Sequence, residues 1–189
     1  MFVNRSVHLI AIGSNVPIGG ASPQKTVAVT LTKLCEKGWV IRAISRFFET
    51  PSFPPGSGPD FVNAVVAIAT DDPPKTVLKQ LHDIESSFDR QRDVRWAART
   101  LDLDLIASGD LVVPDEGHLQ TWMNLPLEAQ QKHAPDQLIL PHPRLQDRAF
   151  VLVPLCDIAP DWQHPVLGKT ARAMLAALPG DEIDTIRAI

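Results

Sequence analysis

Hydrophobic and polar positions alternate between two periods along this chain, and the switches between them mark the elements. Val7 to Ile12 is an apolar run that stops at Gly13-Ser14-Asn15, which predicts a buried strand running into a turn. Ser22-Pro23 then supplies an N-cap and a proline at the first helical position. Val27, Leu31 and Leu34 recur at helical spacing, so a helix is expected to about Cys35 or Glu36, stopped by Gly38. Trp39 to Phe48 is rich in β-branched and aromatic residues and reads as a second strand. Thr50 to Asp60 holds four prolines and two glycines, so a restricted loop follows.

Phe61 to Ala69 is apolar almost throughout, which predicts a central third strand. Asp71 and Asp72 precede Pro73-Pro74, a second helix start, and Val77, Leu81, Ile84, Glu85 and Phe88 continue at helical spacing. Asp89 to Arg99 is polar and arginine-rich and reads as a loop. Leu101 to Ala107 is the fourth strand, with Asp110 to Val113 expected to pair with it through a Ser108-Gly109 turn. Pro114 to Gln137 keeps neither period and reads as an insertion. Leu138 to Leu140 is expected to form a short strand closed by Pro141-His142-Pro143. Arg144 to Ile158 should form helical turns interrupted at Pro154, and Thr170 to Leu178 a final helix. The order β-α-β-β-α-β predicts an α+β chain, a ferredoxin-like sandwich with an additional C-terminal strand and helical segment. That architecture hosts many functions and decides none.

Composition narrows the class. The 189 residues, 44% of them hydrophobic, suit one domain spanning 1–189 with an insertion at 114–137. Eighteen basic and 22 acidic residues leave a net charge of -4, so no global attraction to nucleic acid or an anionic membrane is expected. Phosphate chemistry would have to rest on local clusters. The start of the chain lacks the pattern of a signal peptide, and no stretch approaches the roughly 20 apolar residues of a membrane span. Cys35 and Cys156 match no zinc or redox spacing and read as two buried thiols. A cytoplasmic protein is expected.

The sharpest chemical signal is Arg99-Thr100-Leu101-Asp102-Leu103-Asp104-Leu105. On a strand the leucines face the core while Asp102 and Asp104 share the other face, roughly 6.5 Å apart. Two carboxylates so placed can converge on a pair of hard cations, with magnesium favoured over zinc by the oxygen ligands. The same tripeptide also describes an amphipathic strand with a wet face, against which the low strand propensity of Asp counts. Immediately upstream, Arg90, Arg92, Arg95 and Arg99 form an anion-binding arm or a solvated basic loop, and an arm would suit phosphoryl transfer. Trp96, within that arm, is either an anchor or a lid over a planar ligand. Pro141-His142-Pro143-Arg144, with Arg148 and Phe150, is a second phosphate-binding candidate or a rigid surface loop. Leu167-Gly168-Lys169-Thr170 is not a P-loop, because Gln163 stands where its first glycine belongs.

Several short motifs in this order resemble the 6-hydroxymethyl-7,8-dihydropterin pyrophosphokinase family. They are Ala11-Ile12-Gly13-Ser14-Asn15, Thr50-Pro51, Pro59-Asp60-Phe61-Val62-Asn63-Ala64, Ile84-Glu85, Arg95-Trp96, the Arg99 to Asp104 run, Pro141 to Arg144, and Arg148-Ala149-Phe150. The resemblance implies transfer of diphosphate from ATP to a pterin alcohol, releasing AMP. It assigns two Mg2+ to Asp102 and Asp104, and phosphate contacts to Arg90, Arg99, His142 and Arg148, with Glu85 near the ATP. It places the pterin between Phe61 and Phe150, read by Asn63 and by groups around Thr50 and Phe53. Its partners are then small molecules only, and the expected state is a monomer. The chain departs from the family pattern at Phe61, where tyrosine is common, at Ala97-Ala98, in an arginine loop one residue shorter, and in the 114–137 insertion.

Two other classes compete with this reading. A ligand-binding module that has lost catalysis would bind pterin and nucleotide without turnover. A nucleotidyltransferase with the same aspartate pair would release pyrophosphate and tolerate loss of Phe61 or Asn63.

Overall fold

The apolar run at the start of the chain folds as β1 (Ser6–Ser14), and its two neighbours explain why it is buried on both edges. The computed structural model of the chain describes residues 6–52, 56, 58–88, 100–126, 129 and 133–189. β1 lies between β4 (Phe61–Thr70) and β5 (Asp102–Ser108), antiparallel to both. β4 pairs along its other edge with β2 (Val40–Ile44) and β3 (Phe48–Thr50), and β3 carries the two-residue β6 (Arg187–Ala188). The result is a mixed fold on an antiparallel sheet, with β5 outermost at one side.

The two faces of the sheet bury different sets of helices. Ile10, Ile12, Val62, Ala64, Val66, Leu101, Leu103 and Leu105 pack with α1 (Pro23–Glu36) and α2 (Pro74–Ser86). The α1 cap follows expectation, with the Ser22 hydroxyl accepting from the Lys25 N–H and Gly38 beyond the end at φ 79°. On the opposite face, Leu9, Val65 and Ala67 pack with α4 (Ala149–Ile158) and the short α5 (Ala171–Leu175). A register shift in β5 places Ile106 and Ala107 on this second face, after Leu105 on the first.

Several expectations are corrected. Gly13 and Ser14 belong to β1, because Gly13 is paired on both sides, with Asn63 and Asp102. The segment Trp39 to Phe48 is two strands. Its break comes at Ser45, whose hydroxyl accepts the Val65 N–H while Arg46 turns out to Asp157 of α4. Arg46 meets that carboxylate through its backbone N–H, Nε and Nη2 at 3.0, 2.9 and 2.7 Å. Asp110 to Val113 does not pair with β5, since Val113 bridges Leu140 through two hydrogen bonds of 2.9 Å. That bridge is all the pairing observed for Leu138 to Leu140.

The excursion between these bridged residues contains α3 (Glu116–Met123), capped by Asp115 and held by fully buried Leu119. Pro154 does not interrupt α4, because Val151, Leu152 and Leu155 on either side of it are fully packed. The final helix is shorter than expected and is followed by α6 (Gly180–Asp184). Cys35 is exposed, since α1 turns Val27 and Leu34 inward instead, and Cys156 on α4 is only half-buried.

Candidate active site

Strand register brings the predicted site residues into rows. In an antiparallel sheet, directly opposed residues share a face. Asp102, Gly13 and Asn63 are opposed in sequence across β5, β1 and β4, and Asp104 is opposed to Ala11. Asp102 and Asp104 therefore stand on the α4 face, over the two smallest residues of β1. Both keep part of their surface open, whereas Leu101, Leu103 and Leu105, which alternate with them, are buried. Asp102 and Asn63 lie two strand spacings apart, roughly 10 Å.

The aspartate end is held from behind and flanked by cations. Glu85, assigned to the ATP site by resemblance, is 1% exposed on α2, and its Oε1 accepts the Leu103 N–H at 2.9 Å. It thereby fixes the strand midway between the two aspartates. Arg148 Nη1 lies 3.6 Å from Asp104 Oδ2, with both side chains partly open, and its guanidinium covers the Phe150 ring at 5.5 Å. His142 is fastened to β5 by its backbone N–H, which donates to Ile106 O at 2.9 Å. Its Nδ1 accepts the Arg144 N–H at 3.1 Å, so a neutral ring carries its proton on Nε2 and offers a donor. Burial first, then Arg148 and Arg144, push this imidazole down to about 3 against the pull of Asp102. An edge of the ring still reaches a cleft of about 240 Å³ shared with Asp104, Arg144 and Arg148. The neutral ring thus donates a hydrogen bond without adding charge.

The Asn63 end is pre-formed. Asn63 is 8% and Thr50 2% exposed, and Asn63 Nδ2 donates to Thr50 Oγ1 at 2.7 Å. Its Oδ1 lies over Gly13, where a Cβ would come within 2.8 Å and force the amide to shift. The Phe61 ring flanks the same position. Sequence reasoning missed three contributors here. Ser14 Oγ donates to Thr100 O at 2.6 Å, and Asn15 Nδ2 to Pro59 O at 3.1 Å. Thr100 Oγ1 donates to Phe88 O at 2.9 Å, joining the residues that flank 89–99. Gly13-Ser14-Asn15 carried a signal, but its composition is that of a turn.

Of the expected site residues, Asp102, Asp104, His142 and Arg148 gather at one end, and Thr50, Phe61 and Asn63 at the other. Phe150 reaches the first group through Arg148. Arg90, Arg99 and Phe53, with Arg92, Arg95 and Trp96, lie outside the described residues. The donor set fits magnesium, which takes one or two carboxylates and completes its shell with phosphate oxygens and water. Among the described residues, no group of three or more His, Cys, Asp or Glu offers a closed metal cage.

This geometry coincides with a known sequence pattern. The family model of 7,8-dihydro-6-hydroxymethylpterin-pyrophosphokinase (HPPK) matches residues 9–160, from β1 through α4. The chain belongs to the HPPK family. A 2-amino-4-hydroxy-6-hydroxymethyldihydropteridine pyrophosphokinase of Pseudomonas aeruginosa is 34% identical over 180 residues, 94% of each chain. One from Synechocystis is 38% identical over 133 residues, covering 70% of this chain and 57% of that one. The wild-type HPPK-DHPS of Plasmodium falciparum shares the fold at a TM-score of 0.61 and 16% identity. That match covers 92% of this chain, which spans 44% of the Plasmodium chain. The HPPK match takes in every site residue described above, and leaves α5, α6 and β6 beyond its end.

Proposed function

We propose that this chain transfers the terminal diphosphate of ATP to 6-hydroxymethyl-7,8-dihydropterin, yielding AMP and the pterin diphosphate for folate biosynthesis. The observation that carries the reading is the row Asp102, Gly13, Asn63. It sets a pair of metal-binding carboxylates beside a buried amide, with a donor histidine and Arg148 at the carboxylate end.

In this reading Asn63 reads the polar edge of the pterin, and Phe61 and Phe150 bound the flat ring, with groups around Thr50 and Phe53 adding hydrogen bonds. His142 Nε2 and Arg148 grip the triphosphate, joined by Arg90 and Arg99 from outside the described residues. Glu85 sets the strand that carries the aspartates. Two Mg2+, held by Asp102 and Asp104 against the phosphate oxygens, would offset charge on the transferring group. The pterin hydroxymethyl oxygen forms a bond to the β-phosphorus as the bond to the bridging α-phosphate oxygen breaks. The hydroxyl proton passes to solvent. Held orientation and fixed donors supply most of the catalysis.

The strand order β5-β1-β4-β2 supports a ferredoxin-like reading of the sheet. Residues 1–189 are read as a single domain, working as a cytoplasmic monomer with small-molecule partners. Among the described residues no helix is long and apolar enough to cross a membrane.

Product identity tests the proposal. With ATP, magnesium and the pterin alcohol, AMP is expected in amounts equal to the pterin diphosphate, and only when the pterin is present. ADP, or no AMP above background, overturns it.

A further inference from the structure

The 114–137 excursion is anchored so firmly to the candidate site that one of its side chains becomes part of it. Val113 and Leu140 close its base with two hydrogen bonds, and two residues beyond lies His142. Leu119 fixes α3 from within at 0% exposure. At the far end of the helix, Arg144 Nη1 donates to Met123 O at 3.3 Å, so the residue that orients His142 also fastens the last turn of α3.

Trp122 sits on that last turn, three residues after Leu119 and so on a neighbouring part of the helix surface. It is half-buried and lines the same cleft as Asp104, His142 and Arg148. These groups give the cleft positive and negative charge and hydrogen-bond donors. Leu78, Leu105, Leu138 and Ile139 add apolar lining, beside His133, Pro135 and Gln137. A triphosphate drawn to the charged groups leaves its nucleoside to the apolar lining, where Trp122 offers the largest aromatic surface among the described residues. An indole at the wall of an apolar slot offers a face for a flat heteroaromatic ring.

We propose that Trp122 is a nucleotide-binding residue that stacks on the base, so that the excursion supplies nucleobase affinity. This rests on the reading of the cleft as the ATP site and extends it to a residue from the insertion. Stacking of a base on an aromatic side chain changes affinity by about tenfold or more.

The test compares magnesium ATP with magnesium tripolyphosphate by calorimetry, without pterin. The variants are Trp122→Leu, which keeps apolar bulk, and Trp122→Phe, which keeps a π-face. Trp122→Leu should weaken ATP about tenfold and leave tripolyphosphate unchanged, while Trp122→Phe stays within about threefold of the parent for both. Equal ATP affinity in the parent and Trp122→Leu overturns the inference, as does an equal loss for both ligands. Since no turnover is needed, the result is separate from the diphosphate-transfer reading. A parent that forms AMP while Trp122→Leu binds ATP normally sinks the stacking role alone. A parent that forms no AMP while Trp122→Leu loses ATP selectively sinks the transfer reaction alone.

Discussion

The two ends of the site are built on opposite plans. At the Asn63 end the polar groups are already satisfied by one another: a 2.7 Å bond to Thr50, a glycine below, and exposures of 8% and 2%. At the Asp104 end the groups are partly open, and Arg148 lies 3.6 Å from the Asp104 carboxylate. A partly open pair at that distance contributes less to folding than a close buried one and can exchange partners. A buried amide held in one orientation cannot. The difference matches the ligands proposed for each end, a rigid ring with a fixed hydrogen-bonding edge and a flexible polyanion arriving with its counterions.

Substitutions should separate the two plans. Asp104→Ala should lower kcat on the order of 10³-fold, the scale of losing charge stabilisation in phosphoryl transfer. Its melting temperature and pterin binding should stay near those of the parent. A large fall in melting temperature would show that the aspartate end is structural after all. Asn63→Ala should raise the pterin KM by about 10- to 100-fold, as when a hydrogen-bonding site loses its partner. It should also lower stability, because Thr50 loses a buried bond. Unchanged denaturant midpoints would contradict a pre-formed end.

Gly13→Ala tests that end without removing a polar group. Its Cβ must displace Asn63 Oδ1, at a cost of about 1–3 kcal/mol of stability, with pterin affinity falling and ATP affinity held. Equilibrium unfolding together with separate titrations of the two substrates would read both effects.

The last test concerns acid. The His142 ring, at about 3 when folded against an ordinary 6.5, resists protonation that the unfolded chain accepts. Its stabilising contribution is present above pH 6.5 and is lost as pH falls toward 3. His164, pushed down to about 4 by burial, acts in the same direction far from the site. His142→Gln should therefore flatten part, not all, of the decline in urea midpoint between pH 7 and pH 4. An identical decline in the variant would refute the depressed imidazole.

Much of the chain through β5 was legible because its signals are local. Ser22-Pro23 caps α1, the apolar run of β4 marks a strand with neighbours on both edges, and Asp-Leu-Asp alternates as a half-open strand should. The misreadings share one cause, contacts between residues far apart in sequence. The break after Ile44 depends on Val65 and Asp157, and the fate of Val113 depends on Leu140. Gly13 looked like a turn residue, and its need for a missing side chain appears only once Asn63 lies across from it. Pro154 looked like a helix breaker until α4 was seen buried along its length. For the site, the residue types announced the chemistry, while the latches Ser14, Asn15 and Thr100 are common polar residues whose meaning comes only from their partners.

The carboxylate of Glu85 has a bearing on solubility as well as on placement. β5 ends the sheet, and an unguarded outermost strand is a template on which another chain can lay down. Glu85 occupies the outward N–H of Leu103 and the His142 backbone occupies Ile106 O, so this rim is already taken at two points. A cluster of paired acids on an outer strand stays available to a small anionic ligand only while no foreign strand can dock there, and these two attachments keep it so.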